Sequence, residues 1–184
     1  MTQPPPPSPW LPAWLEIEAL FQYLGFTTLL IQSQENRKHP FEELLLTRES
    51  KHKEKDILRL TLLNEQLKYI QIEEKALIFQ FLLNLPIQTP TAIVKRKELP
   101  ALLLLLNQLL PLGTLAWAPK EGLYLRYCLL WEPGSWSGPV MVEIAQNLFW
   151  GAKTVKPWLE RFADPKTTLQ NLEKQIQSLL QAEF

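Results

Sequence analysis

Apolar positions recur along the chain at two spacings, and the spacing alone divides it into elements. From Pro12 onward, Trp14, Ile17, Leu20, Phe21 and Leu24 repeat at the three- and four-residue steps of one helical face. Pro12 suits a first helical turn and Gly25 a stop, so a helix is predicted between them. The stretch "FTTLLIQ", Phe26 to Gln32, is rich in strand-forming residues, and the polar loop "SQENRKHP" follows it. Strand-like runs then come in series at 43–49, 57–63, 68–72 and 76–83. Their separators, "SKHKEKD", "NEQ" and "EEK", are short and polar, which favours an antiparallel meander.

Pro86 and Pro90 close that block, and "ELPALLLLLNQLLPLGTLAWAP" comes next, with five consecutive leucines from Leu102 to Leu106. A spanning helix needs about 20 apolar residues. This run is broken by Asn107 and Gln108 and fenced by prolines, so a short buried helix over Glu98 to Leu110 is predicted. Leu99, Leu102, Leu103, Leu106 and Leu110 share one face, Leu105 lies at its edge, and Leu104 falls on the opposite side. Beyond Gly113, "TLAWAP" and "GLYLRYCLLW" flank the turn Pro119 to Gly122 and read as a hairpin. From Val140 a helix carries Met141, Ile144, Ala145, Leu148 and Phe149 inward, opposed by Glu143, Gln146 and Asn147. The same phase continues through Val155, Trp158, Leu159 and Phe162, with Pro157 expected to kink or interrupt it. A last helix over 165–182 opens at Asp164, takes Pro165 as its first residue, and turns Leu169, Leu172, Ile176, Leu179 and Leu180 inward.

Segregated runs of strands and helices give an α+β class, a twisted antiparallel sheet with helices packed against it. Residues 1–11 read as a disordered proline-rich tail, and 12–184 as a single α+β domain. The 46% hydrophobic content and seven tryptophans are ample for a core. Nineteen basic and nineteen acidic side chains cancel, so no global charge points to nucleic acid or an anionic membrane. The lone Cys128 and a start without a basic, apolar leader lead us to expect a cytoplasmic protein.

Candidate chemistry is sparse. His39 and His52 lie in charged, loop-like stretches, and neither pairs with Cys128 or an acid at a metal-ligand spacing. No phosphate loop, nucleophile elbow or zinc helix occurs. The adjacent pairs Glu42–Glu43 and Glu73–Glu74 point apart in a strand or turn and read as solvated surface. The run "RESKHKEKD" mixes both signs and reads as a solvated loop rather than a phosphate-binding patch. No enzyme activity, metal or other cofactor is expected.

Aromatic excess remains to be explained. Trp131 and Trp136 flank a Pro-Gly turn, and Trp150 falls beside Gln146 and Glu143 rather than on the inward stripe. Together with Leu104 they suggest a client-binding surface, since tryptophan is enriched in binding hot spots.

The run from Glu98 to Leu130 resembles the helix-then-hairpin pattern of YbjN-like proteins, which share the type III secretion chaperone-like fold. A helix ending near Asn107 leads to the turn Pro111-Leu112-Gly113, a strand, a short turn and a second strand with "YLRY", Tyr124 to Tyr127. The similarity spans about residues 42–162 and leaves out the proline-rich start and the last helix. It implies a non-enzymatic chaperone or adaptor that holds a segment of a client protein, and members often form homodimers. The Leu- and Gln-rich texture is similar to cyanobacterial members that assist carboxysome assembly, which implies a carboxysome shell protein as client. The alternative is a permanently bound scaffold or regulatory subunit of a larger complex.

Overall fold

A computed structural model describes residues 10–32, 42–47, 56–63, 77–88, 90, 92–131 and 137–182. The expectations for residues 1–9, the strand at 68–72, His39, His52, Glu73, Glu74 and Trp136 fall outside those residues. The elements run α1 (Leu11–Tyr23), β1 (Thr27–Ile31), β2 (Glu43–Thr47), β3 (Ile57–Leu62), β4 (Leu77–Leu85), α2 (Ile93–Asn107), β5 (Thr114–Ala118), β6 (Gly122–Trp131), α3 (Gly138–Ala163) and α4 (Leu169–Ala182). The class is α+β, with helices packed against a six-stranded antiparallel sheet in the order β1-β2-β3-β4-β6-β5. Residue contacts divide the chain into two compact units. The first holds Met1–Leu82 with Cys128–Glu143, the second Leu83–Tyr127 with Ile144–Phe184.

In the first unit, α1 begins at Leu11, one residue before the expected start at Pro12. Trp10 already accepts a bond from the Trp14 amide, 3.0 Å, and Pro12 sits in the first turn, where its missing N–H costs nothing. Trp14, Ile17 and Phe21 are buried as α1 packs on β1 and β2. Leu24, predicted on the same stripe, is exposed because the helix has already ended and Gly25 turns the chain at φ +81°. The strand register fixes the two faces of β1 to β3. Leu30, Leu44 and Leu60 share a face with Thr28, Leu46 and Leu58, and α1 covers it, because Gln22 Nε2 donates to Thr28 Oγ1 and Thr28 Oγ1 donates to Glu18 Oε1. The other face carries Thr27, Leu29 and Ile31, then Glu43, Leu45 and Thr47, then Ile57, Arg59 and Thr61.

In the second unit, α2 starts five residues before the expected Glu98, and Pro100 stands inside it rather than fencing it. The proline leaves the Arg96 carbonyl without its helical donor, but the buried row Leu99, Leu102, Leu103 and Leu106 continues across it. The early turns are held separately: Lys95 Nζ donates to the Thr167 carbonyl and lies 4.4 Å from the centre of the Phe162 ring. The helix α3 runs through Pro157 as one element, so of the expected kink or interruption, the interruption does not occur. Lys153, whose carbonyl loses its donor there, is exposed, as is Pro157, so the gap faces solvent while Val155 and Leu159 stay buried. The last helix opens at Leu169, not at Pro165. Asp164 forms a turn by accepting the Lys166 amide on Oδ1, 2.9 Å, and Thr168 Oγ1 caps the helix by accepting the Asn171 amide, 3.3 Å. Its Leu172 and Ile176 are buried, but Leu179 in its last turn is exposed. Among the described residues no helix is long and apolar enough to cross a membrane.

Candidate protein-binding surfaces

The described residues contain no group of three or more His, Cys, Asp or Glu side chains placed to hold a metal ion. Their one buried carboxylate corrects the sequence reading. Glu43 is only 7% exposed, not solvated, because its position in β2 brings it diagonally across from Arg59 of β3, whose Nη2 donates to Glu43 Oε1 at 2.7 Å. A carboxylate so paired and hydrogen-bonded acts as a structural clasp between β2 and β3.

The chemistry that remains lies in the sheet ends. An edge strand presents unpaired N–H and C=O groups, and proteins usually guard such edges with charge, proline, a bulge or a cover. The first strand of the sheet, β1, reads Thr-Thr-Leu-Leu-Ile and has no charged residue or proline. Its Leu29 is 59% exposed, next to half-buried Leu45 on β2 and two strands from Arg59. Arg59 is engaged with Glu43, so among the described residues of β1 to β3 this face carries one ion pair and otherwise uncharged side chains.

The last strand, β5, is finished differently. The Asn107 side chain, at the end of α2, makes two bonds to one β5 residue: Nδ2 donates to the Leu115 carbonyl at 3.0 Å, and Oδ1 accepts the Leu115 amide at 2.7 Å. Gly113 makes the approach feasible. It bends the chain at φ +82°, and a Cβ there would stand 3.2 Å from the Arg126 carbonyl oxygen and 2.9 Å from Leu148 Cδ2.

The four side chains predicted to bind a client fall in different places. Leu104 is 70% exposed on α2 and Trp150 is 51% exposed on α3, both in the second unit. Trp131 belongs to the first unit at the end of β6 and is half-buried, with its ring 5.5 Å from that of Phe79. Phe79 in turn meets Trp14 edge-on at 5.6 Å, so Trp131 extends an internal aromatic row. Trp136 lies outside the described residues. The sequence reading did not single out Leu29, Arg59 or Asn107. The signal for Leu29 was there, in five strand residues without a charge; those for Arg59 and Asn107 needed the register and the α2–β5 approach.

No protein-family model matches the chain, and no curated protein or solved structure matches it significantly.

Proposed function

We propose that this chain is a cytosolic, non-enzymatic chaperone or adaptor that holds an extended segment of a client protein along β1. The observation that carries the reading is the β1 edge, which among the described residues ends the sheet, has no charged residue or proline of its own and exposes Leu29. An extended peptide added to such an edge gains main-chain hydrogen bonds, while its alternate side chains are selected by the surface beside the edge. That surface favours a client segment without charge, carrying an apolar residue opposite Leu29. The YbjN-like pattern supports the same reading, and a carboxysome shell protein is the client it would imply. Leu104 and Trp150, both exposed on the second unit, support the alternative of a permanently bound scaffold.

Panning a random linear peptide library against the wild type and Leu29→Lys tests the proposal. Uncharged peptides of alternating apolarity should be enriched on the wild type. They should lose about tenfold or more in affinity for Leu29→Lys, about 1.4 kcal/mol. Peptides that bind both proteins equally overturn the assignment to β1. Loss of binding in Leu104→Lys or Trp150→Ala instead moves the site to the second unit.

A further inference from the structure

The two ends of the sheet are finished in opposite ways, and the difference sits in one side chain. Along a strand, the N–H and C=O groups of successive residues point alternately to either side. Leu115 gives both of its groups to Asn107, so in β5 the outward residues are Leu115 and Trp117, while Thr114, Ala116 and Ala118 face β6. The next outward position is Pro119, which has no N–H, and the preceding one is Gly113, which has left the strand at φ +82°. Asn107 therefore occupies the place of an incoming strand. Its amide group copies a peptide unit, offering a donor and an acceptor at the spacing of a backbone pair.

We propose that Asn107 is a strand stopper: it seals the β5 edge against added strands, from a client or from another copy of this chain. The consequence, that the sheet accepts a strand at β1 alone, rests on the function proposed above; the seal itself does not. With the seal open, Leu115 and Trp117 together present an outward ladder of two donors and two acceptors. That is the minimal template for edge-to-edge pairing.

Sedimentation velocity over a concentration series, without any client, tests this. Asn107→Ala should sediment as larger, concentration-dependent species than the wild type. Asn107→Asp keeps an acceptor for the Leu115 amide and places a charge on the edge, so it should sediment as the wild type does. Adding Trp117→Pro to Asn107→Ala removes the second outward N–H and should restore wild-type sedimentation. A folded Asn107→Ala that sediments as the wild type overturns the proposal. So does equal association of Asn107→Ala and Asn107→Asp, which would trace the effect to a loosened fold, and so does failure of Trp117→Pro to reverse it. Amide exchange in the wild type provides a check that needs no variant. Leu115 should exchange at least tenfold more slowly than Trp117, and equal rates overturn the seal.

Discussion

Leu104 and Leu106 lie two residues apart in one helix, and their replacement should have very different consequences. Leu106 is fully buried, so Leu106→Ala removes its transfer energy and leaves a cavity, a loss of about 3–5 kcal/mol. Leu104 is 70% exposed, so roughly a third of the 1.5–3 kcal/mol for burying a leucine is at stake, below about 1 kcal/mol. Lysine has nearly the helix propensity of leucine and keeps an apolar stem against the surface, so Leu104→Lys adds little further cost. The assay is urea denaturation followed by circular dichroism, compared at constant slope. Against a typical domain stability of about 5–15 kcal/mol, the first change moves the midpoint far and the second barely. Equal losses would refute the phase assigned to α2, and with it the exposed placement of Leu104.

Other substitutions probe the remaining joints. Arg59→Met leaves the Glu43 carboxylate buried without its partner; because Arg59 is itself 36% exposed and screened, we expect a loss of about 2–3 kcal/mol, below the usual range for deeply buried pairs. Adding Glu43→Leu should recover most of it in the same urea assay, and a double variant as unstable as the single one contradicts the clasp. Gly25→Ala, with open space around its Cβ at φ +81°, should cost about 1–2 kcal/mol. Gly113→Ala adds overlap with Leu148 and Arg126 to the same strain and should cost about 2–4 kcal/mol by thermal melting, so equal costs would contradict the close approach. The Trp14 indole N–H is buried without a hydrogen-bond partner, so Trp14→Phe should stay within about 1 kcal/mol of the wild type while Trp14→Ala loses about 3–5. A large loss in Trp14→Phe would reveal a partner for that N–H.

The fold was legible where one periodicity governs a whole element. The stripe on α2 came out at Leu99, Leu102, Leu103 and Leu106, with Leu104 exposed, because a buried face with a 3.6-residue period admits only one phase; Leu110 did not, since the helix ends at Asn107. The hairpin came out because Gly122, at φ +77°, marks the turn that pairs it with Ala118. Proline misled the reading at Pro100 and Pro165. Pro100 and Pro157 stand inside helices whose buried rows run on past them, so packing outweighs one missing hydrogen bond. Pro165 failed for a different reason: Asp164 and Thr168 compete for the start of α4, and the threonine hydroxyl caps it four residues later. Tryptophan drew attention as the hot-spot residue, yet Trp131 is half-buried against Phe79, while β1 carries no aromatic ring. Edges are invisible to periodicity, because which strand comes last is decided by pairing between distant segments. Glu43 was misjudged on the same ground, since its diagonal neighbour Arg59 is set by the β2–β3 register.

Amide hydrogen exchange, with and without the tightest peptide selected on the wild type, tests the central claim most directly. If β1 accepts an extended client segment, saturating peptide should slow exchange within Thr27–Ile31 by tenfold or more and leave Thr114–Ala118 unchanged. Slowed exchange in α2 around Leu104 or α3 around Trp150, with β1 unaffected, would contradict the account.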